Sequence, residues 1–251
     1  NSPNGITTDG TNLYVADNTN HKIRKIVIST GVVTTFAGSG GQGAANGTGT
    51  AASFRYPSEI TTDGTNLYVS DTNNHTIRKI VISTGVVTTL AGSAGSVGAT
   101  DGTGPAARFA SPYGITTDGT HLYLAEAGNR KIRKIVISTG AVTTLAGSGS
   151  AASTDGTGTS ASFNGPMAIF SYGTNLYVSE YIGNKIRKIA LRGTETADLS
   201  LHNLDDDTDV TVAVSSSDTS EGTVSPATLT FTENNWNTPQ TVTVTGVNDN
   251  N

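Results

Sequence analysis

Gly5-Ile-Thr-Thr-Asp-Gly-Thr-Asn-Leu-Tyr-Val-Ala-Asp17 is the first of four near-copies of one phrase. The others begin at Glu59, Gly114 and Ala168, and the matching isoleucines are Ile6, Ile60, Ile115 and Ile169. The period is therefore 54 or 55 residues, a spacing that marks solenoids, arrays and propellers.

Working outward, each repeat holds four candidate strands, which in the first copy are Gly5–Thr8, Asn12–Ala16, Lys22–Ile28 and Val32–Ala37. Asp9-Gly10 and Ser29-Thr30-Gly31 between them are tight-turn chemistry, because Gly tolerates positive φ and Asp bonds its own backbone. Leu-Tyr-Val is apolar at consecutive positions, as in a sheet packed on both faces, and a propeller blade is sandwiched between neighbours. The expected fold is all-β: four blades over about residues 1–40, 55–93, 109–148 and 163–192, as a closed four-bladed ring or as an arc of a larger propeller, followed by a partial β-sandwich over 193–251.

The turns sort by end. In an up-and-down blade the second turn and the blade-to-blade connection lie together. Here these are Asp17-Asn-Thr-Asn-His21 and linkers of about twenty residues such as Gly92–Pro112. Length and variation collect there, so that end is the expected working face. Inert spacing is the other reading of the same linkers. Each linker carries a signature: Asn46-Gly-Thr-Gly-Thr-Ala-Ala-Ser-Phe54, Asp101-Gly-Thr-Gly-Pro-Ala-Ala-Arg-Phe109 and Asp155-Gly-Thr-Gly-Thr-Ser-Ala-Ser-Phe163. The tip reads as a plain turn or as a cation site of carboxylate and carbonyls. The Phe and the following Pro (Pro57, Pro112, Pro166) are expected to wedge against the next first strand.

Pro–Gly-Ile, Leu-Tyr-Val-Ala-Asp, Asn-His and Ile-Arg-Lys-Ile together resemble the NHL-repeat family of β-propellers, over residues 1–192. The resemblance implies blades around an axis with the first strand innermost. NHL propellers are usually six-bladed and four repeats are present here. The first copy lacks the Phe-containing lead-in, and the last departs after Ile186-Arg-Lys-Ile189, so the chain reads as part of a longer protein.

The charge divides sharply. All 15 Lys and Arg lie in residues 1–192 with 10 acids, giving +5, whereas 193–251 hold 10 acids and no base, giving −10. Two modules with different partners follow from that asymmetry. Residues 210–247 alternate in period two, as antiparallel sandwich strands do. With Val-Ser-Ser-Ser-Asp218 and Leu-Thr-Phe-Thr-Glu-Asn-Asn-Trp236 they resemble Calx-β or related cadherin-like repeats of bacterial surface proteins, Trp236 packing. The resemblance implies Ca²⁺ at loop ends, with Asp205, Asp206, Asp207, Asp209 and Asp249 as candidate ligands, or else a solvated acidic loop. Thr194–Leu201 reads either as the fourth strand of the last blade or as the first of the sandwich.

The chain has no Cys, hence no thiol chemistry or disulfides. No apolar run approaches the about 18 residues that cross a bilayer, no signal peptide is visible, and membrane insertion is not expected. Basic residues sit inside Ile-Arg-Lys-Ile strands away from aromatics, so nucleic acid is not expected either.

Asp17, Asp71, Glu126 and Glu180 end each second strand and suggest a ring of carboxylates that binds a cation or polar ligand. The competing reading is an ion pair or turn bond with the repeated Arg24, Arg78, Arg133 and Arg187, which occurrence in every blade favours. The residues unique to one blade on that end are Glu126, Arg130, Glu180, Tyr181 and Asn184, the best ligand candidates. His21 and His75 suit Zn²⁺ by type, but Arg130 and Asn184 replace them in the later copies, which favours a turn role. His121 and His202 stand alone. The expected function is a binding, adhesive or scaffold module of a large bacterial secreted or cell-surface protein, meeting a protein or carbohydrate ligand on its long-loop face. A metal-dependent lyase or hydrolase resembling NHL-type enzymes and an inert spacer are the alternatives. No catalytic residue is expected.

Overall fold

The computed structural model describes residues 1–191, 194–199, 210–215, 222–232, 235, 238 and 240–246, and divides into units Asn1–Ile189 and Ala190–Asn251. In the first unit each repeat is an antiparallel blade. Blade 1 is β1 (Pro3–Thr8), β2 (Asn12–Asp17), β3 (Lys22–Val27) and β4 (Val33–Ala37), in the sheet order of the sequence. The two-residue strand β5 (Gly47–Thr48) follows in the linker. Blade 2 is β6 (Pro57–Thr62), β7 (Asn66–Asp71), β8 (Thr76–Val81) and β9 (Val86–Gly92). β10 (Gly102–Thr103) leads to blade 3, made of β11 (Pro112–Thr117), β12 (His121–Glu126), β13 (Lys131–Val136) and β14 (Ala141–Ala146). Among the described residues blade 4 has three strands, β15 (Pro166–Tyr172), β16 (Asn175–Glu180) and β17 (Lys185–Ala190).

The first turn of blades 1, 2 and 3 is an aspartate box. Asp9 Oδ1 accepts from the Thr11 and Asn12 amides at 2.8 and 2.6 Å, and Oδ2 accepts from the Tyr14 hydroxyl at 2.9 Å. Asp63 with Tyr68 and Asp118 with Tyr123 repeat it at 2.7 and 2.8 Å. A buried tyrosine thus keeps its apolar ring in the blade interface and satisfies its hydroxyl locally. Blade 4 has Tyr172 where the Asp stands in the others, and its Tyr177 is more exposed than its counterparts.

First strands pack in succession, β1 on β6, β6 on β11 and β11 on β15, so they line the centre. No comparable packing joins β15 to β1 among the described residues. The side chains show the same thing: Ile6 is 56% exposed where Ile60 is 2%, and Ile186 at the other end is 72% exposed where Ile77 is fully buried. Four blades form an open arc, each end bearing an apolar face.

The interfaces between blades 1 and 2 and between blades 2 and 3 each pack linker residues between the two sheets. Between blades 1 and 2, Tyr14, Ala16, Ile23 and Ala37 face Val69, Ile80 and Val87, with Ala52 and Phe54 of the linker packed in the same cluster. The linker tip is neither a free turn nor a metal loop. Gly47 and Thr48 pair with Val87 and Val86, and Gly102 and Thr103 with Val142 and Ala141, so the linker adds a fifth strand to the outer edge of the blade that follows it.

Among the described residues the second unit holds two small antiparallel sheets. β18 (Thr194–Leu199) pairs with β22 (Gln240–Gly246), which also pairs with β20 (Gly222–Ser225); β19 (Val210–Ala213) pairs with β21 (Thr228–Phe231). Leu229 and Phe231 of one sheet and Val242 of the other share an apolar cluster. The register Thr194↔Thr245 to Leu199↔Gln240 assigns β18 to this unit, which resolves the double reading of that stretch against a fourth strand for blade 4. Asp205, Asp206, Asp207, Asp209, Asp249 and Trp236 lie outside the described residues.

Candidate functional site

The third strand of blades 2, 3 and 4 places one arginine on the face that the linker covers. Arg78 is fully buried. Its Nη1 donates to the Ser53 carbonyl at 2.9 Å and to Asp71 Oδ2 at 3.0 Å, and its Nη2 to the Ala45 carbonyl at 3.0 Å and Asn46 Oδ1 at 2.9 Å. The guanidinium lies 5.2 Å from the centre of the Phe54 ring. Arg133 repeats the arrangement on Arg108, Glu126, Thr100 and Asp101 over Phe109, and Arg187 on Ser162, Glu180, Thr154 and Asp155 over Phe163. One planar fork thus ties the end of the second strand, the third strand and both ends of the linker. The cation that each linker tip accepts is an arginine of its own blade.

Asp71, Glu126 and Glu180 are therefore buried and saturated by protein donors. Asp71 also accepts from the Arg55 amide at 2.7 Å and from Asn74 Nδ2 at 2.7 Å. Glu126 accepts from the Ala110 amide and Asn129 Nδ2, both at 2.5 Å, and Glu180 from the Ser153 hydroxyl. Burial pushes the Asp71 carboxyl up to about 6 and raises Glu126 as well, against the pull of the adjacent guanidinium. Charge removed from water costs more than a single partner returns. The acids expected to form a ring of ligand-binding carboxylates each point at the arginine of their own blade, the ion-pair arrangement that was the competing reading. The asparagine three residues beyond the acid was missed by the sequence reading, although Asn20, Asn74 and Asn129 recur at that offset.

Blade 1 is looser. Asp17 Oδ1 accepts from the Asn1 ammonium at 2.5 Å, and Arg24 Nη1 stands 3.6 Å from Asp17 Oδ2. Burial raises the Asp17 pKa, yet the ammonium, Asn20 and Arg24 outweigh it and hold the carboxyl below its ordinary value.

The second turns reveal what the histidines do. His21 and His75 cap short 3₁₀ turns at φ +56° and +58°, and Arg130 and Asn184 hold the same left-handed place at +54° and +49°. His21 Nδ1 accepts the Tyr56 amide at 3.2 Å and His75 Nδ1 the Ser111 amide at 3.1 Å, so each ring stitches its blade to the next. Thr72 adds a second stitch, donating to the Pro112 carbonyl at 2.7 Å, and Asn18 reaches Pro57 in the same way. Among the described residues no three His, Asp or Glu gather as a metal site. Of the residues unique to one blade, Glu126 and Glu180 are buried, Arg130 is half-buried, and Tyr181 and Asn184 are exposed.

No family model matches the chain. Among curated proteins, Protein SUPPRESSOR OF QUENCHING 1, chloroplastic, of Arabidopsis thaliana is 31% identical over 201 residues, 74% of this chain and 19% of that protein. NHL repeat-containing protein 2 is 32% identical over 136 residues in Bos taurus, covering 50% of this chain and 19% of the relative. The human form is 30% identical over 184 residues, 67% of this chain and 25% of its own length. The chain thus spans a quarter or less of these relatives. Among solved structures, a Bacteroides thetaiotaomicron protein of unknown function matches with a TM-score of 0.62 at 27% identity, over 75% of this chain and 47% of that one. An auxiliary nutrient binding protein of the same organism matches with a TM-score of 0.58 at 20% identity, over 70% of this chain and 44% of that one. The repeats are similar to NHL repeats, and their fold is a β-propeller arrangement.

Proposed function

Starting from four NHL-like blades, we propose that the chain is a binding or scaffold module of a larger bacterial secreted or cell-surface protein, meeting a protein or carbohydrate ligand at the long-loop end. The observation that supports this is the second turn of blade 4. Tyr181 is 74% exposed there, beside the exposed Ile182 and Asn184, where the matching turn of blade 1 ends in the buried His21. Exposed aromatic side chains are the usual anchors of interfaces, because they offer large contact area at small entropic cost. The solved propellers of similar fold include one described as nutrient binding.

The acidic unit 190–251 is proposed as part of a Calx-β-like repeat that takes Ca²⁺ through Asp205, Asp206, Asp207, Asp209 and Asp249, hard oxygen donors of the kind that ion prefers. Affinity electrophoresis through gels cast with soluble polysaccharides, and retention on immobilised mucin, test the ligand reading. Retardation or retention that Tyr181→Ala abolishes is expected. Passage without retardation in every gel, and without retention on mucin, leaves the spacer. Calorimetric titration with CaCl₂ tests the second unit, and an absence of heat removes calcium from it.

A further inference from the structure

The innermost strands are nearly identical except at one pair of positions. β1, β6 and β11 share Pro, then a variable pair, then Ile-Thr-Thr; the pair is Asn4-Gly5, Ser58-Glu59 and Tyr113-Gly114, and in β15 it is Met167-Ala168. In all four blades the register against the second strand slips at this pair, between Pro3 and Ile6, Pro57 and Ile60, Pro112 and Gly114, and Pro166 and Ile169. Such bulges re-aim side chains out of the ladder. Three of the re-aimed groups are contiguous. Asn4 Nδ2 donates to the Tyr113 hydroxyl at 2.7 Å, a bond from blade 1 to blade 3. The Glu59 carboxylate lies against Gly5, the neighbour of Asn4, where a Cβ would collide with its Oε1. β1 packs on β6 and β6 on β11, so the group sits at the centre of the arc. Glu59 differs from the acids that end the second strands. Asp71, Glu126 and Glu180 each meet a guanidinium, whereas Glu59 has no ion pair among the described residues. Half-buried, its carboxylate accepts only from the Ile60 amide, at 3.4 Å. Burial raises its pKa, with that amide alone pulling the other way. A carboxylate withdrawn from water without a partner costs stability. Gly or Ala serves at the same place in the other blades, so the fold does not need the acid.

We propose that Glu59, Asn4 and Tyr113 form a binding site for a small ligand bearing a primary ammonium group, an amine or an amino sugar. The Glu59 carboxylate takes the ammonium through a charge-assisted bond. Asn4 Oδ1 and the remaining lone pair of the Tyr113 hydroxyl are acceptors for its other hydrogens. One carboxylate balances one positive charge. Among the described residues no three His, Asp or Glu gather at this place, so a divalent cation lacks the oxygen ligands it needs there. The site uses no residue of the Tyr181 turn, and neither reading depends on the other.

Glucosamine, N-acetylglucosamine and butylamine are titrated into the full chain and followed by amide chemical shifts in NMR. Glucosamine or butylamine is expected to saturate and to shift amides of β1, β6 and β11; the stronger of the two tells an amino sugar from a simple amine. N-acetylglucosamine keeps the sugar and loses the charge, and is expected to bind about tenfold more weakly or worse. Glu59→Gln keeps the size and removes the charge, and should weaken the amine about tenfold or more, the scale of one lost charge-assisted bond. Tyr113→Phe should weaken it by a smaller factor. Without ligand, Glu59→Gln should melt at or above the parent temperature, because a carboxylate without a partner leaves the interior. No saturation by either amine at tens of millimolar overturns the proposal, as does equal binding of N-acetylglucosamine or binding that survives Glu59→Gln. A Glu59→Gln chain that melts well below the parent also overturns it, since the acid then serves the fold.

Discussion

Arg78 and Asp71 meet at 3.0 Å with both side chains fully withdrawn from water, and the guanidinium that neutralises the acid also holds the linker carbonyls of Ser53 and Ala45. The pair is at once a charge partnership and the rivet of a blade.

Removing one member leaves a buried charge alone. Arg78→Ala is expected to lower stability by about 3–5 kcal/mol in urea unfolding, and to open residues 43–54 to limited proteolysis. Arg24→Ala, at the half-exposed pair of blade 1, is expected to lose less than about 1 kcal/mol. Similar losses at the two positions would contradict the assignment.

Acid sensitivity is expected from the aspartate boxes. Burial pushes Asp9 up, but Asn12, Thr11 and Tyr14 outweigh it and bring it down to about 2 from 3.8; Asp63 and Asp118 are lowered in the same way. Their folded pKa lies below the unfolded one. The stability they contribute is complete above about pH 4 and disappears as pH falls through the folded values. The melting temperature should drop between pH 4 and 2, with a shallower drop in Asp63→Asn, which itself loses about 1–3 kcal/mol at neutral pH.

His75 predicts a separate step at milder pH. Its Nδ1 must be unprotonated to accept the Ser111 amide, and burial, with the Arg55 charge, holds its pKa below 6.5. Stability from this group is present above pH 6.5 and is lost as pH falls through the folded value. Thermal melts between pH 7 and 5 should show the step, and His75→Asn should abolish it while tolerating φ +58°. A β-branched His75→Val should be clearly worse at every pH.

Gly114 and Gly64 separate crowding from backbone conformation. A Cβ on Gly114 would stand 2.9 Å from Ala168 Cα and Ile169 N, so Gly114→Ala must push blades 3 and 4 apart, for about 1–3 kcal/mol. Gly64 has φ +87° and open space around it, so Gly64→Ala meets only the left-handed penalty of about 1–2 kcal/mol. Hydrogen exchange should show the difference: Gly114→Ala loosens the amides of β11 and β15 together, and Gly64→Ala only its own turn.

Much of the first unit was legible because its information is local and repeated. Asp9-Gly10 needs only its neighbours to make a turn, and Leu13-Tyr14-Val15 only its own composition to indicate a two-faced strand. The acids Asp71, Glu126 and Glu180 were equally visible, but the direction of a carboxylate is set by what lies across the interface. The Gly47–Thr48 strand was hidden because Gly-Thr-Gly reads as a turn until the edge of β9 is known. The assignment of Thr194–Leu199 rests on a partner more than forty residues away, which no local pattern carries.

The period, the blade strands and the tight turns follow from the sequence alone, since each depends on contacts within a few residues. Only the tertiary structure decided that the arc is open and that the acids face arginines. Those properties are differences in exposure between chemically equal residues, such as Ile6 and Ile60 or Arg24 and Arg78. Equal residues become unequal only when neighbouring blades cover one and leave the other in water.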